Sequence, residues 1–140
     1  MNERKPKILA INPGSTSSKL AVYEGEERVL EWSHEHESGV DDFSRGMEEI
    51  AAERAPELRR DLAGHGHSAG GFDLIVARGG LLKPVAGGVY EVSDRMIDDL
   101  ASCRYGRHLS NTGAILARLL ADGGDAKCYI VNPVVVDELS

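Results

Sequence analysis

The spacing of apolar residues changes period along the chain, and this change restricts the possible folds more than any other feature. Three apolar runs of strand length, within 7–12, 18–23 and 28–34, are separated only by short turns. Between 41 and 63 the apolar residues instead recur about every 3.6 positions, which is typical of a helix. Since strands joined by short turns pair antiparallel, we expect a three-stranded meander followed by a helix that is interrupted or kinked at Pro56.

The second half of the chain alternates between strand and helix patterns. Apolar runs predict strands at 72–77 and 127–131, with a short strand at 89–92. Ser93 and Ser110 precede helical patterns and are expected to cap them. The predicted order is β-β-β-α-β-α-β. This is an α/β fold whose mixed sheet is flanked by helices and joins an antiparallel meander to parallel strands.

Composition excludes several classes of protein. The 140 residues fit one domain, and 23 acidic against 16 basic side chains give a net charge of -7. With no basic stripe and 5% aromatic residues, we expect no nucleic-acid partner. No apolar run reaches the roughly 20 residues of a membrane helix, and the charged start is unlike a signal peptide, so no membrane partner is expected. Cys103 and Cys128 lack C-x-x-C spacing, which favours a reduced, cytoplasmic protein.

The stretch 12–19, Asn-Pro-Gly-Ser-Thr-Ser-Ser-Lys, is the most informative for chemistry. Gly14 allows close approach of the backbone to an anion, and the residues after it offer hydroxyl and amide donors beside the Lys19 ammonium. It is not a Walker A loop, because the second glycine is missing and a strand follows where a helix should begin. A serine-rich hairpin turn is the other interpretation.

Two further sites have the right residue types for binding an anion. Arg78-Gly79-Gly80 directly follows an apolar strand, where parallel sheets present ligands, and a guanidinium suits a carboxylate or phosphate. A surface arginine before a turn is the alternative. His108 and Asn111 lie at the start of a helix, whose amides favour anions, although they are equally explained as capping residues.

Two other patterns are predicted to carry no function. Gly64-x-Gly66-x-x-Ala69 fits the loose dinucleotide pattern, but it follows a helix and precedes a strand, which is the wrong order. His34-x-His36 and His65-x-His67 have metal-ligand spacing without neighbouring carboxylates or thiols in the sequence. We therefore expect both histidine pairs to be solvated.

Taken together, the motifs resemble those of butyrate kinases. The resemblance is carried, in the family's order, by four motifs within 11–23, 77–92, 105–114 and 131–139, and it spans essentially the whole chain. It implies a ribonuclease H-like domain of the acetate and sugar kinase/Hsc70/actin superfamily. Such enzymes have two domains and use ATP and Mg²⁺ to phosphorylate a short-chain carboxylate.

The resemblance also implies a domain organisation. Residues 1–140 would be a single amino-terminal domain, with the carboxyl-terminal domain and most of the nucleotide pocket absent from this chain. The apolar stretch 129–140 supports this expectation, because natural termini are usually polar. A bare domain face predicts association of copies near 129–139, hence a homo-oligomer.

Roles for individual residues follow from the same resemblance. Arg78 would hold the substrate carboxylate and the transferring phosphoryl group, and His108 would lie near that group, so these two are the predicted catalytic residues. Gly79, Gly80 and Asn111 would contribute with Arg78 to substrate binding. The ATP phosphates would contact the loop residues Asn12, Gly14, Ser15, Thr16, Ser17 and Lys19.

The metal site departs from the family's pattern. Asn132 stands where an aspartate is expected, which removes a negative charge from a Mg²⁺ ligand, and Asp137 is the nearby carboxylate. The resemblance also implies butyrate or a branched short-chain acid as substrate, because acetate kinases typically carry a histidine-rich stretch around the matching Arg-Gly-Gly motif, whereas the flanks of Arg78 are apolar. Two alternatives stay open: a kinase of the superfamily that acts on acetate or a sugar, and a non-catalytic anion-binding or assembly domain.

Overall fold

A computed structural model describes residues 5–36, 46–78, 88–104 and 109–132, with only the backbone described at 109 and 132. It contains six strands and three helices, which confirms the α/β class. The predicted order leaves out the short fifth strand and counts the last two helices as one. The elements are β1 (Lys7–Pro13), β2 (Ser17–Glu24), β3 (Glu27–Glu35), α1 (Met47–Gly64), β4 (Leu74–Arg78), β5 (Gly88–Glu91), α2 (Asp94–Ala101), α3 (Thr112–Ala121) and β6 (Lys127–Asn132).

The strands form one mixed sheet in the order β3-β2-β1-β4-β6-β5. The first three strands make the predicted antiparallel meander. β1, β4 and β6 run parallel to one another, and β5 returns antiparallel along β6. The carboxyl ends of the three parallel strands therefore meet at one edge of the sheet, the place where such folds present ligands.

The core lies between one face of the sheet and the helices. Alternate strand residues point into it, as in Leu9 and Ile11 of β1 or Ile75 and Ala77 of β4, and all four are at most 2% exposed. Apolar side chains from α1 and α3 complete this cluster, and Leu100 of α2 packs beside Ala114 and Ile130. Within the described residues, all three helices pack on this face, so the opposite face of the sheet is open.

α1 runs without interruption through Pro56, so the predicted interruption there is wrong, and a kink stays a prediction. Proline removes one backbone hydrogen bond in a helix, to the carbonyl four residues earlier. Pro56 and Ala52 are both exposed, so water can solvate that carbonyl while the opposite side of the helix stays packed. Residues 41–45, the predicted start of this helix, lie outside the described part of the chain.

One of the two predicted serine caps is confirmed. The Ser93 Oγ accepts a 3.2 Å hydrogen bond from the Met96 amide at the start of α2. The prediction for Ser110 is wrong, because a 3-10 turn precedes α3 and Asn111, in a helical conformation, occupies the cap position. Both cysteines are free thiols, and burial raises the pKa of Cys128. Along the described ranges, no helix combines the length and apolar character needed to cross a bilayer.

Candidate functional site

The stretch 12–19 covers the end of β1, the tight turn at 14–16 and the start of β2. Pro13 pairs with Ser18, and the Gly14 amide donates to the Ser17 carbonyl at 2.8 Å. A Cβ atom on Gly14 would lie 2.9 Å from that carbonyl oxygen, so the turn requires glycine. The hairpin interpretation therefore describes the backbone. The Ser15 and Thr16 side chains are exposed, which leaves their hydroxyls accessible to a ligand.

A buried arginine supports this turn from the helical side of the sheet. Arg54 of α1 is 2% exposed, and its guanidinium donates to the carbonyl oxygens of Gly14, at 2.7 Å, and Ser15, at 2.9 Å. The His36 amide donates to the Thr16 carbonyl at 2.9 Å. Because these hydrogen bonds restrain three successive carbonyls, the turn has its conformation without a bound ligand.

Three predicted site residues lie in one row across the open face of the sheet. Lys19 of β2 pairs with Asn12 of β1. The register of β1 and β4 pairs Ile11 with Ala77, which places Asn12 next to Arg78. All three side chains are exposed and line the same cleft. The sheet thus brings together an ammonium, an amide and a guanidinium near the carboxyl ends of β1 and β4.

The cleft beside this row has a volume of about 370 Å³. Its floor is formed by small, partly buried apolar side chains that alternate with the core residues, namely Ala10, Ala21, Val76 and Val131. On β3, Arg28 and Glu31 form an ion pair of 2.5 Å at its side. Such a combination of a cationic end and an apolar floor suits a small amphiphilic anion.

Asn111 lies apart from this row. Its side chain is fully buried, and Nδ2 donates to the Leu100 carbonyl at 3.4 Å, linking α2 to the start of α3. Asn132 ends β6, one residue beyond the pairing of Val131 with Arg78, so its backbone lies at the same edge of the sheet. Gly79, Gly80, His108 and Asp137 lie outside the described residues, and their roles remain predictions.

The expectation that the His34 and His36 side chains are solvated is wrong. The His36 side chain is fully buried and that of His34 is 19% exposed. Both rings face carboxylates of α1, because His34 contacts Glu57 at 3.1 Å and Asp61 at 3.0 Å, and His36 contacts Glu57 at 3.3 Å. The second pair differs, since His65 is exposed and His67 is half-buried in the loop after α1.

The electrostatics of His36 favour its neutral form. Burial lowers the pKa of His36, and the nearby Arg54 charge lowers it further, while Glu57 acts in the opposite direction. Its Nε2 lies 2.7 Å from the buried Ser18 Oγ. The ring of His36 therefore links Glu57 of α1 to Ser18 of β2, which belongs to the stretch 12–19.

Sequence reasoning missed Arg54 and Glu57 because charged residues on a helix are usually solvated. A signal was present, however. Arg54 stands four residues after Ile50 and four before Leu58, both fully buried, so it occupies the apolar stripe of α1. A charged side chain at such a position requires buried partners.

Comparison with known proteins confirms the predicted resemblance. No protein-family model matches the chain. It is 47% identical over 133 residues to a probable butyrate kinase of Listeria monocytogenes, a match that covers 94% of this chain and 37% of that protein. It is 40% identical to butyrate kinase 2 of Clostridium acetobutylicum over 135 residues, or 96% of this chain. The chain thus spans 37% to 38% of the length of these curated relatives.

Solved structures confirm the fold. A propionate kinase from Francisella tularensis superposes on 93% of this chain with a TM-score of 0.56 at 13% identity, covering 37% of that chain. A Ppx/GppA family member from Aquifex aeolicus superposes on 96% of this chain with a TM-score of 0.52 at 15% identity, covering 56% of its own chain. These matches establish the predicted actin-like ATPase architecture.

Proposed function

The resemblance to butyrate kinases holds along 94% of this chain, and on that premise we propose that it forms one domain of a short-chain carboxylate kinase. The reaction is phosphoryl transfer from ATP to butyrate or a branched short-chain acid, giving an acyl phosphate. The observation that carries the proposal is the row of Lys19, Asn12 and Arg78 beside an apolar-floored cleft. The two free thiols agree with a cytoplasmic location.

The donor groups of the described residues fit phosphate and carboxylate oxygens. In the proposed complex, Arg78 binds the carboxylate through its planar pair of N–H donors, and the aliphatic tail lies over Val76 and its apolar neighbours. Lys19 and the hydroxyls of the β1–β2 turn face phosphate oxygens. His108, Gly79 and Gly80 keep their proposed roles from the resemblance, whereas the buried Asn111, whose amide donates to the Leu100 carbonyl, is assigned a structural role between α2 and α3.

Catalysis by these residues needs no general base. A short-chain carboxylic acid, like the side chain of glutamate, is ionised at neutral pH and is already nucleophilic. Its oxygen bonds to the γ-phosphorus as the bond from that phosphorus to the β–γ bridging oxygen breaks. The contribution of Arg78 is to orient the carboxylate and to neutralise charge that would otherwise repel the two anions.

Mg²⁺ is proposed as the counter-ion of the ATP phosphates. Its preferred ligands are carboxylate and phosphate oxygens, whereas the described row offers an ammonium, an amide and a guanidinium. The described row therefore fits the phosphates and not the metal. We assign metal binding to the segment from Asn132 to Asp137, together with parts of the kinase beyond this chain.

A chimera tests the proposal directly. In the L. monocytogenes relative, the 133 matched residues are replaced by those of this chain, and acyl phosphate is trapped as the hydroxamate with acetate, butyrate or isobutyrate as substrate. We expect ATP-dependent product, with more from butyrate or isobutyrate than from acetate. A folded chimera, shown by circular dichroism, that forms no acyl phosphate from any of the three acids would contradict it, and the unmodified relative serves as the control.

A further inference from the structure

Two histidines at the end of β3 and two carboxylates of α1 form a cluster outside the proposed active site. His34 and His36 are two residues apart on an extended segment, so their rings leave the same side of the strand. Glu57 and Asp61 are four residues apart on α1 and share a helix face. The packing of α1 against the sheet brings the two pairs together on the side opposite the cleft.

His34, His36 and Glu57 each offer one candidate ligand atom, and the separations of the Glu57 oxygen from the two ring nitrogens are those of a metal site. The Glu57 Oε1 lies 3.1 Å from the His34 Nε2 and 3.3 Å from the His36 Nδ1, and the candidate ligand atoms lie within 4.8 Å of one another. Two ligands of a tetrahedral Zn²⁺, each about 2.05 Å from the ion, are separated by about 3.4 Å. The two separations from Glu57 match this value, and bringing the His34 and His36 nitrogens from at most 4.8 Å to about 3.4 Å apart would complete the geometry.

In each histidine, the ring nitrogen that does not face Glu57 also has a hydrogen-bonding partner. The His34 Nδ1 lies 3.0 Å from the Asp61 Oδ2, which itself accepts a 2.6 Å hydrogen bond from the Trp32 indole. The His36 Nε2 lies 2.7 Å from the Ser18 Oγ. Metal-bound histidines usually have such a partner on the second nitrogen, since it fixes the tautomer and the ring orientation.

The charges of the surroundings are compatible with a cation. Among the residues that the structure describes, the carboxylates of Glu57 and Asp61 oppose the guanidinium of Arg54, which donates to the Gly14 and Ser15 carbonyls. The neutral imidazole is the form of histidine that binds metals. Imidazole ligands suit Zn²⁺ and are poor ligands for Mg²⁺.

We infer that His34, His36 and Glu57 form a binding site for a single Zn²⁺-type transition-metal ion, with Asp61 and Ser18 orienting the two rings. This site is separate from the Mg²⁺ proposed for phosphoryl transfer and does not depend on the proposed kinase activity. Bound metal ties the end of β3 to α1. A fourth ligand position is left for water or for the second Glu57 oxygen.

Cobalt titration tests the site on the unmodified chain. The 140-residue protein, without an affinity tag and stripped by a chelator, is titrated with Co²⁺, followed by Zn²⁺ competition. We expect one equivalent of Co²⁺ with the strong visible absorption of four-coordinate Co²⁺, and its displacement by one equivalent of Zn²⁺. A chain that binds no stoichiometric Co²⁺ or Zn²⁺ would overturn the inference without recourse to any variant.

Variants then locate the bound ion. Loss of a residue that orients a metal-bound histidine typically weakens metal binding by about 10–100-fold. We therefore expect Asp61→Asn to weaken Co²⁺ binding within that range. Loss of a ligand, in His36→Ala or Glu57→Gln, should weaken it by more than about 100-fold. Glu35→Gln, between the two histidines but on the exposed side of the strand, is the matched control and should bind as the wild type does. Because free thiols can also bind metals, the double variant Cys103→Ser/Cys128→Ser should still bind one equivalent of Co²⁺. Binding that is lost with the cysteines, or that survives all three ligand-side variants, would overturn the assignment.

Discussion

At the scale of single residues, one buried cation helps to fix the shape of the β1–β2 turn. Arg54 reaches from α1 to two successive carbonyls of the turn, Gly14 and Ser15. A fully buried guanidinium is tolerated only where its donors are satisfied. Its presence therefore marks a turn whose conformation is needed for more than connecting two strands, in agreement with the phosphate-binding role proposed for it.

Arg54→Gln is expected to lower the free energy of unfolding by about 3 kcal/mol, because hydrogen bonds to a charged group contribute roughly 1.5–3 kcal/mol each and two carbonyls lose their donor. Urea unfolding measures the change. Arg60→Gln, at an exposed position of the same helix, should stay within about 0.5 kcal/mol of the parent. Equal losses for the two variants would show that the Arg54 contacts contribute nothing specific.

Gly113 makes a second residue-scale prediction. A Cβ atom there would lie 2.8 Å from the Arg78 carbonyl oxygen and 3.1 Å from the Ala77 Cβ, so α3 approaches β4 closely at the end that bears Arg78. Despite the better helix propensity of alanine, Gly113→Ala should destabilise the protein by about 1–3 kcal/mol in thermal or urea unfolding. Gly64→Ala, with open space around it in the last position of α1, should be neutral or stabilising by up to about 1 kcal/mol. A stabilising Gly113→Ala would refute the close approach.

At the scale of secondary-structure elements, sequence patterns predict where an element lies along the chain better than they predict which residues of different elements contact one another. Local patterns of apolar residues correctly place the strands β1, β2 and β4 along the chain, with Asn12 and Arg78 near the carboxyl ends of β1 and β4. The same reasoning failed for His36, because the carboxylate that meets it comes from α1, 21 residues away in the sequence. Contacts between elements depend on how α1 docks on the sheet, and no local pattern encodes that.

The helix α1 carries an element-scale prediction at Pro56. The residue is exposed within a continuous helix, so replacing it by alanine restores a backbone hydrogen bond without removing any core contact. Pro56→Ala should raise the unfolding free energy by about 1–3 kcal/mol, below the full proline penalty, since proline also restricts the unfolded chain. Chemical denaturation monitored by helix ellipticity checks it. An unchanged or lower stability would mean that the proline shapes α1 in a way that packing requires.

At the scale of the whole molecule, the open face of the sheet is the feature that connects fold and function. The described helices cover one face, and the other carries the cationic row and the cleft of about 370 Å³. Phosphoryl transfer requires exclusion of water and positioning from both sides of the reacting groups. A shallow cleft on a single domain supplies only one side.

The isolated 140-residue chain is therefore expected to form no measurable acyl phosphate, although the chimera that contains it does. The hydroxamate assay on both proteins, at equal concentration and with butyrate and Mg-ATP, makes the comparison. Robust turnover by the isolated chain would contradict the proposal that it supplies one of two domains of the kinase.

The most direct test of the central claim is the effect of Arg78 on phosphoryl transfer, measured as kcat of the chimera with saturating butyrate and ATP. Charge on the reacting groups builds up mainly in the transition state, so Arg78→Ala should lower kcat on the order of 10³-fold, about 4 kcal/mol, while the KM for ATP changes little. Arg78→Lys should recover only a small part, because it lacks the planar two-donor fork. The surface variant Arg60→Ala is the control and should leave kcat unchanged. If Arg78→Ala keeps more than about half of the parental kcat, Arg78 does not contact the reacting groups and the proposed site is misplaced.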